Sequence, residues 1–158
     1  MVDGGGRFIG YDINAGLAAW CDANLPGDYQ QNQLRPPLPL PDGAADIVYA
    51  YSVFTHLREP TAIRWLEEIA RVLRPGGLAL VTFHDETFAE LRGLADVRTA
   101  LETQPYFVLN DALEGSNYIS AWTTRAHFSQ LVGARFEPLE ILPGRSDLTQ
   151  AIAVLSRR

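Results

Sequence analysis

Between residues 45 and 84 the chain passes from an apolar run through a polar turn to an amphipathic stretch, a Pro-Gly-Gly break and a second apolar run, an order that predicts one β-α-β unit. The run at 45–51 (ADIVYAY) is of strand length and nearly continuous in apolar residues, as expected of a parallel strand covered by helices on both faces. Pro60 suits a first helical turn, where no N–H is needed. Ile63, Leu66, Ile69, Ala70 and Leu73 recur at helical spacing, and Arg71 and Arg74 put positive charge in the last turn. Pro75-Gly76-Gly77 then predicts the helix stop, and 78–83 (LALVTF) the second buried strand. Residues just after Tyr51 and Phe83 therefore belong to the carboxyl edge of the sheet, where open α/β folds bind ligands.

The flanking segments extend the pattern. Residues 7–13 read as a short strand ending at the acid Asp12, followed by a helix from an Asn14 cap to Asn24 with Leu17, Ala18, Cys21 and Leu25 inward and Pro26-Gly27 as its stop. Residues 29–33 form a polar strand suited to a sheet edge. Pro36, Pro37, Pro39 and Pro41 mark an extended crossover. Beyond Phe83 the spacing of Phe88, Leu91 and Ala95 predicts one helix over about 86–103, and residues 104–118 read as mixed and turn-rich. Thr123 or Thr124 caps a further helix carrying Phe128, Leu131 and Val132 and ending at Gly133. Runs at 136–142 and 150–155 predict a terminal antiparallel pair.

Composition narrows the setting more than the class. A chain of 158 residues with 47 % apolar and 20 % charged residues has enough material for one packed core, which excludes disorder as the default. No run reaches membrane-span length, the amino terminus lacks a signal-peptide pattern, and Cys21 has no partner for a disulfide, so a reducing cytoplasm is the expected home. A net charge of −6 argues against nucleic acid as the main partner. No spacing of His, Cys, Asp and Glu reads as a metal site.

The stretches PLPDGAADIVYAYSVFTHL and WLEEIARVLRPGGLALVTFH, set between an acid-ended strand and a final hairpin, resemble the class I S-adenosylmethionine-dependent methyltransferases over about residues 7–157. The resemblance implies a Rossmann-like, doubly wound, mostly parallel sheet with a carboxyl-terminal antiparallel hairpin. It also exposes a departure: the family opens with a strand and a Gly-rich loop whose bare N–H groups approach the methionine end of the cofactor, and no such unit is recognisable here. Gly4-Gly5-Gly6 with Gly10 mimics that loop but precedes a strand instead of opening a helix, so residues 1–6 read as a linker or start-site remnant. Residues 7–158 then form a single domain lacking its first β-α unit, with 104–118 as its substrate-side loop.

Carried over position by position, the resemblance assigns Asp12 to the ribose hydroxyls of S-adenosylmethionine and Ile13 to the face of its adenine, the alternative for Asp12 being a helix cap. Gln33 and Leu34 fall at the adenine edge. Tyr51, Ser52 and Phe54 pass beneath the methionine portion. His56 and His84 follow adjacent strands, and either can take a proton from a hydroxyl or amine near neutral pH, a packed or capping histidine being the alternative for each. Asn117 and Tyr118 close the segment that covers the acceptor in this family. His127 is expected to be structural or solvent-facing, and Asp46 to satisfy local backbone donors.

Three readings follow. The first is S-adenosylmethionine-dependent methyl transfer to a small-molecule, lipid or sugar-linked acceptor. The second is a truncated, non-catalytic methyltransferase-like remnant or subunit, its cofactor binding weak or lost. A nicotinamide-dependent dehydrogenase stands third, because its Gly-rich turn is missing in the required context. A missing central strand also predicts that the gap is closed by direct pairing of 8–11 with 47–51, or filled by a partner chain or a second copy in a homo-oligomer.

Overall fold

The computed structural model describes residues 6–144 and 150–158. Gly4 and Gly5 of the glycine cluster, and most of the 1–6 linker assigned above, lie outside the described residues. The chain divides into two compact units, Met1–Leu38 and Pro39–Arg158.

In the first unit, strand β1 (Ile9–Asp12) pairs in parallel with β2 (Asp28–Gln31) across helix α1 (Ala15–Asn24). The Asn14 side chain caps α1 by accepting from the N–H groups of Gly16 and Leu17. Gly10 is needed where it stands: a Cβ there would lie 2.4 Å from the Tyr29 ring on the neighbouring strand. The expected inner face of α1 is corrected. Only Ala18 is buried, while Leu17, Leu25 and Trp20 are exposed.

The second unit holds a four-stranded sheet in the order β3-β4-β8-β7, built from β3 (Ala45–Ala50), β4 (Leu73–Phe83), β7 (Phe136–Leu142) and β8 (Ala151–Arg157). Strands β3 and β4 are parallel, joined through helix α2 (Glu59–Val72), and the β7–β8 hairpin is antiparallel, as expected. Helix α2 starts with Pro60 in its first turn and ends at Val72. The helix stop thus comes before Pro75-Gly76-Gly77, which is instead part of the strand, and Arg74 lies outside the helix and pairs with Asp46 at 2.6 Å. Asp46 therefore faces a guanidinium, not the backbone donors expected of it. Gly77 is required by close approach, since a Cβ would sit 2.9 Å from the Arg74 carbonyl oxygen and 3.0 Å from that of Asp46.

One face of this sheet is dry. Ala79, Val81, Phe83, Ala153 and Leu155 meet Leu66 and Ile69 of α2 and Phe128 and Val132 of helix α5 (Arg125–Gly133), all of them buried. The Phe83 and Phe128 rings stack with centroids 4.1 Å apart, and Phe54 meets Phe128 edge-on at 6.4 Å. The opposite face is not covered by a helix of this unit. Ile47, Tyr49 and Tyr51 are 63, 62 and 61 % exposed, which corrects the expectation of helices on both faces of β3. The expected direct pairing of 8–11 with 47–51 is also absent: β1 takes β2 as its partner and β3 takes β4.

Two further corrections concern residues 86–123. The single helix expected over 86–103 is two, α3 (Glu86–Leu91) and α4 (Ala95–Thr103), because Gly93 adopts a left-handed φ of +66° that no helix interior tolerates. The segment read as irregular contains strand β5 (Tyr106–Leu109), which pairs antiparallel with β6 (Ser120–Thr123). These elements enclose a second small core of Ala89, Val97, Leu101 and Trp122.

Phe128→Ala should cost about 3–5 kcal/mol by urea denaturation, because the large buried ring has no replacement, whereas Tyr49→Ser on the open face should cost less than about 1 kcal/mol. Equal losses would contradict the assignment of the two faces.

Candidate functional site

Parallel strands β3 and β4 end on one edge, and their following residues bring Ser52 and His56 together with His84 and Asp85. After β3 the chain turns sharply at Ser52, whose φ of +57° is left-handed. The Ser52 N–H donates to the Thr82 hydroxyl at 2.7 Å, and the Thr55 hydroxyl donates to the Ser52 carbonyl at 2.9 Å. A 3₁₀ turn over Phe54–His56 follows. The Phe54 side chain is 4 % exposed and meets Phe128 edge-on, so it serves the core and only its backbone is left for the position assigned to it. Tyr51 points to the open sheet face, and Ser52 is half-buried at the edge.

The two histidines differ in state. His56 places Nδ1 2.8 Å from the Ile119 carbonyl, an acceptor only, so Nδ1 carries the proton and Nε2 is left as a lone-pair acceptor with no protein partner among the described residues. His84 stacks on Phe88 at 3.9 Å and lies 5.6 Å from Trp122. Burial, followed by the neighbouring His56, pushes its imidazole down to about 4 despite a hydrogen bond with the Ala121 carbonyl. Its Nδ1 is buried without a hydrogen-bond partner among the described residues. His84 is therefore neutral at physiological pH, half-buried among aromatic rings with its Nδ1 unpartnered.

The 110–118 segment is tied to this edge through a residue that sequence reasoning missed. Arg58 donates through Nε and a terminal nitrogen to the Asp111 carbonyl at 3.1 and 2.8 Å, and its own N–H donates to Glu114 at 2.8 Å. The Gly115 N–H donates to the His56 carbonyl. Asn117 and Tyr118 are exposed on the segment so held, Tyr118 at 75 %. Next to this edge, His127 pairs with Glu59 at 2.6 Å, consistent with a structural role. Asp85 is fully buried and caps α3 by accepting from the Phe88 N–H.

Asp12, Ile13, Gln33 and Leu34 belong to the first unit. One Asp12 carboxylate oxygen accepts from the Asn14 N–H at 2.7 Å, and the other has no partner among the described residues. Asp12 thus steadies the cap residue and keeps an exposed oxygen, so both roles weighed for it remain compatible. Ile13 is 39 % exposed, Gln33 is exposed and Leu34 half-buried. Asn32, which the sequence did not single out, donates its N–H to the Asp12 carbonyl and holds a buried Oδ1 with no partner. An orphaned buried acceptor at the ends of β1 and β2 is a place for a donor group of a ligand.

The fit to S-adenosylmethionine is partial. The first unit offers an unpartnered carboxylate oxygen and a bare amide oxygen, suited to hydroxyl and amino donors, and the second a polar turn after β3. Among the described residues, no Gly-rich turn joins a strand to a helix to receive the methionine carboxylate. No group of three or more potential metal ligands occurs among the described residues.

Comparison with known proteins bears on this arrangement. A methyltransferase domain family model matches residues 1–81. A probable S-adenosylmethionine-dependent methyltransferase of Mycolicibacterium smegmatis is 36 % identical over 83 residues, a match that spans 52 % of this chain and 31 % of that protein. Among solved structures, a protein of Pyrococcus horikoshii matches with a TM-score of 0.68 at 15 % identity, over 98 % of this chain and 73 % of its own. An S-adenosylmethionine-dependent methyltransferase of Methanosarcina mazei gives 0.66 at 15 % identity, over 94 and 81 %. The 1,6-didemethyltoxoflavin-N1-methyltransferase of Burkholderia thailandensis, solved with its substrate and S-adenosylhomocysteine, gives 0.66 at 13 % identity, over 97 and 62 %. At these identities the solved structures establish the α/β, Rossmann-like fold.

The lowered His84 pKa has a signed consequence. Its folded value lies below the unfolded one, so its contribution to stability is complete above about pH 6.5 and is lost as pH falls toward 4. Urea midpoints should therefore fall across that window, and His84→Phe should flatten the fall. A His84 ring that titrates near 6.5 by NMR would contradict the burial argument.

Proposed function

The chain belongs to the methyltransferase domain family, whose cofactor is S-adenosylmethionine, and from that premise we propose that it acts in methyl transfer to a small-molecule, lipid or sugar-linked acceptor. The observation that carries this reading is the shared edge after β3 and β4, where a strained polar turn, an anchored His56 and a neutral His84 meet beside the loop held by Arg58. The sulfonium cofactor, when bound, supplies an activated methyl group. The protein's task is then to align the acceptor, exclude water and take one proton.

His56 suits the proton step better than His84. Its Nδ1–H is anchored on the Ile119 carbonyl, so the ring is oriented and Nε2 is free to accept from a hydroxyl or amine. His84, neutral and enclosed, suits a hydrogen-bond acceptor that orients the acceptor molecule. Asn117 and Tyr118 would line the acceptor side. On the cofactor side, Asp12 would accept from the ribose hydroxyls and Ile13 and Leu34 would border the adenine. Asn32 Oδ1 or Gln33 would accept from its amino group, and the Tyr51–Ser52 backbone would face the methionine portion. The acidic chain favours acceptors other than nucleic acid. The exposed Ile47, Tyr49 and Tyr51 support a role for a partner chain or a second copy.

Calorimetric titration of residues 1–158 with S-adenosylhomocysteine and with NAD tests the reading. Binding of the first, weaker than micromolar because hydrogen bonds worth about 1.5–3 kcal/mol each are missing at the charged end, is expected, with none for NAD. Asp12→Ala should weaken it further, by about tenfold. Preference for NAD would overturn the reading, and an unchanged affinity in Asp12→Ala would leave that residue as a brace for the cap alone.

A second outcome concerns the proton. His56→Gln should lower kcat by about 10²-fold or more on an acceptor that must lose a proton during transfer, with little change in S-adenosylhomocysteine affinity. Retention of full kcat would remove His56 from the chemistry.

A further inference from the structure

The left-handed turn at Ser52 is braced from a distant part of the chain. Gln150, which precedes β8 and is 98 residues away in sequence, donates from Nε2 to the Ser52 hydroxyl at 2.9 Å. Its Oε1 accepts from the Thr82 hydroxyl at 2.6 Å, and Thr82 Oγ1 in turn accepts the Ser52 N–H at 2.7 Å. The circuit therefore closes through Ser52 N–H, Thr82, Gln150 and the Ser52 side chain.

The protons in this circuit have one consistent arrangement. The Thr55 hydroxyl is committed to the Ser52 carbonyl, so the Ser52 hydroxyl proton goes to Thr55 Oγ1, 3.1 Å away, and Ser52 Oγ accepts from Gln150. Thr82 accepts from the Ser52 backbone and must donate onward, which requires the amide oxygen of Gln150 on its side. Flipping the amide would leave the Thr82 proton without an acceptor and face two donors at one oxygen. Only a side chain with one donor and one acceptor at this spacing completes the ring.

Serine seldom adopts φ of +57° unaided, because its Cβ crowds the backbone there. We infer that Gln150 is a positioning residue: by bridging Thr82 and Ser52 it holds the turn after β3 left-handed and so sets how the Tyr51–Ser52 backbone is presented to the methyl donor. The inference rests on the methyl-transfer reading for the identity of the ligand, but the brace itself is a property of the protein. It links the β7–β8 hairpin, an element with no other contact to that turn through hydrogen bonds of described side chains, to the ligand edge.

Hydrogen exchange and ligand titration by NMR on ¹⁵N-labelled protein test it. Gln150→Ala should speed exchange of the Ser52 amide by at least about tenfold while the Leu80 amide in β4, which reports unit stability, stays protected. The dissociation constant for S-adenosylhomocysteine should rise by about tenfold, the effect of losing one positioning hydrogen bond. Glycine adopts positive φ without a steric cost, so in a Ser52→Gly background the same Gln150→Ala change should alter affinity by less than about twofold. Unchanged exchange at Ser52, or an equal loss of affinity in the Ser52→Gly background, overturns the inference. Absence of any S-adenosylhomocysteine-induced shift in the unaltered protein overturns the methyl-donor reading, while the exchange comparison alone decides whether Gln150 holds the turn.

Discussion

Parallel pairing of β3 with β4 is the constraint from which the candidate site follows. Two consecutive strands can run in parallel only if the chain returns the length of the sheet between them, here through α2, and the carboxyl ends of both strands then reach the same edge. The turn at Ser52 and the histidine after Phe83 are neighbours for that reason. The dry face secures the pairing: Leu66 and Ile69 of α2 and Ala79, Val81 and Phe83 of β4 are all buried, and Phe128 of α5 stacks on Phe83. The candidate site lies where the backbone runs out of strand partners and polar side chains take over.

Those polar side chains form two arrangements of different character. At Ser52 every donor and acceptor in the ring with Thr82, Gln150 and Thr55 is matched, which favours a rigid turn. At His84 and Trp122 two buried ring nitrogens are unmatched, an expense that a structure keeps where a ligand or an ordered water supplies the partner. Arg58 holds the 110–118 segment through Asp111 and Glu114, so the loop that carries Asn117 and Tyr118 is anchored at its base and exposed at its tip.

Much of the fold was legible because its signals are local. Asn14 and Thr124 cap helices as their side chains demand, Pro60 marks the start of α2, and the apolar runs at 45–51 and 78–83 are strands. What escaped depends on distant partners or on single backbone angles. Gly93 splits one apolar-periodic stretch into two helices, and β5 is a strand only because β6 lies beside it. The exposure of Tyr49 and Tyr51 cannot be read from an apolar run, which looks the same whether one face is covered or two. Position relative to strand ends put Ser52, His56 and His84 at the carboxyl edge, and that is where they lie. The direction of the Phe54 side chain is set by packing on Phe128, and Arg58, Asn32 and Gln150 make contacts that no sequence spacing announces.

The central claim is the proposal that the edge after β3 and β4 meets the methyl donor. Hydrogen–deuterium exchange mass spectrometry with and without saturating S-adenosylhomocysteine measures this directly, because it reads every segment at once. The account predicts slowed exchange in peptides covering residues 50–57, with little change over the outer strand β7. Protection confined to the β7–β8 hairpin, or none at ligand concentrations that saturate binding, would contradict it.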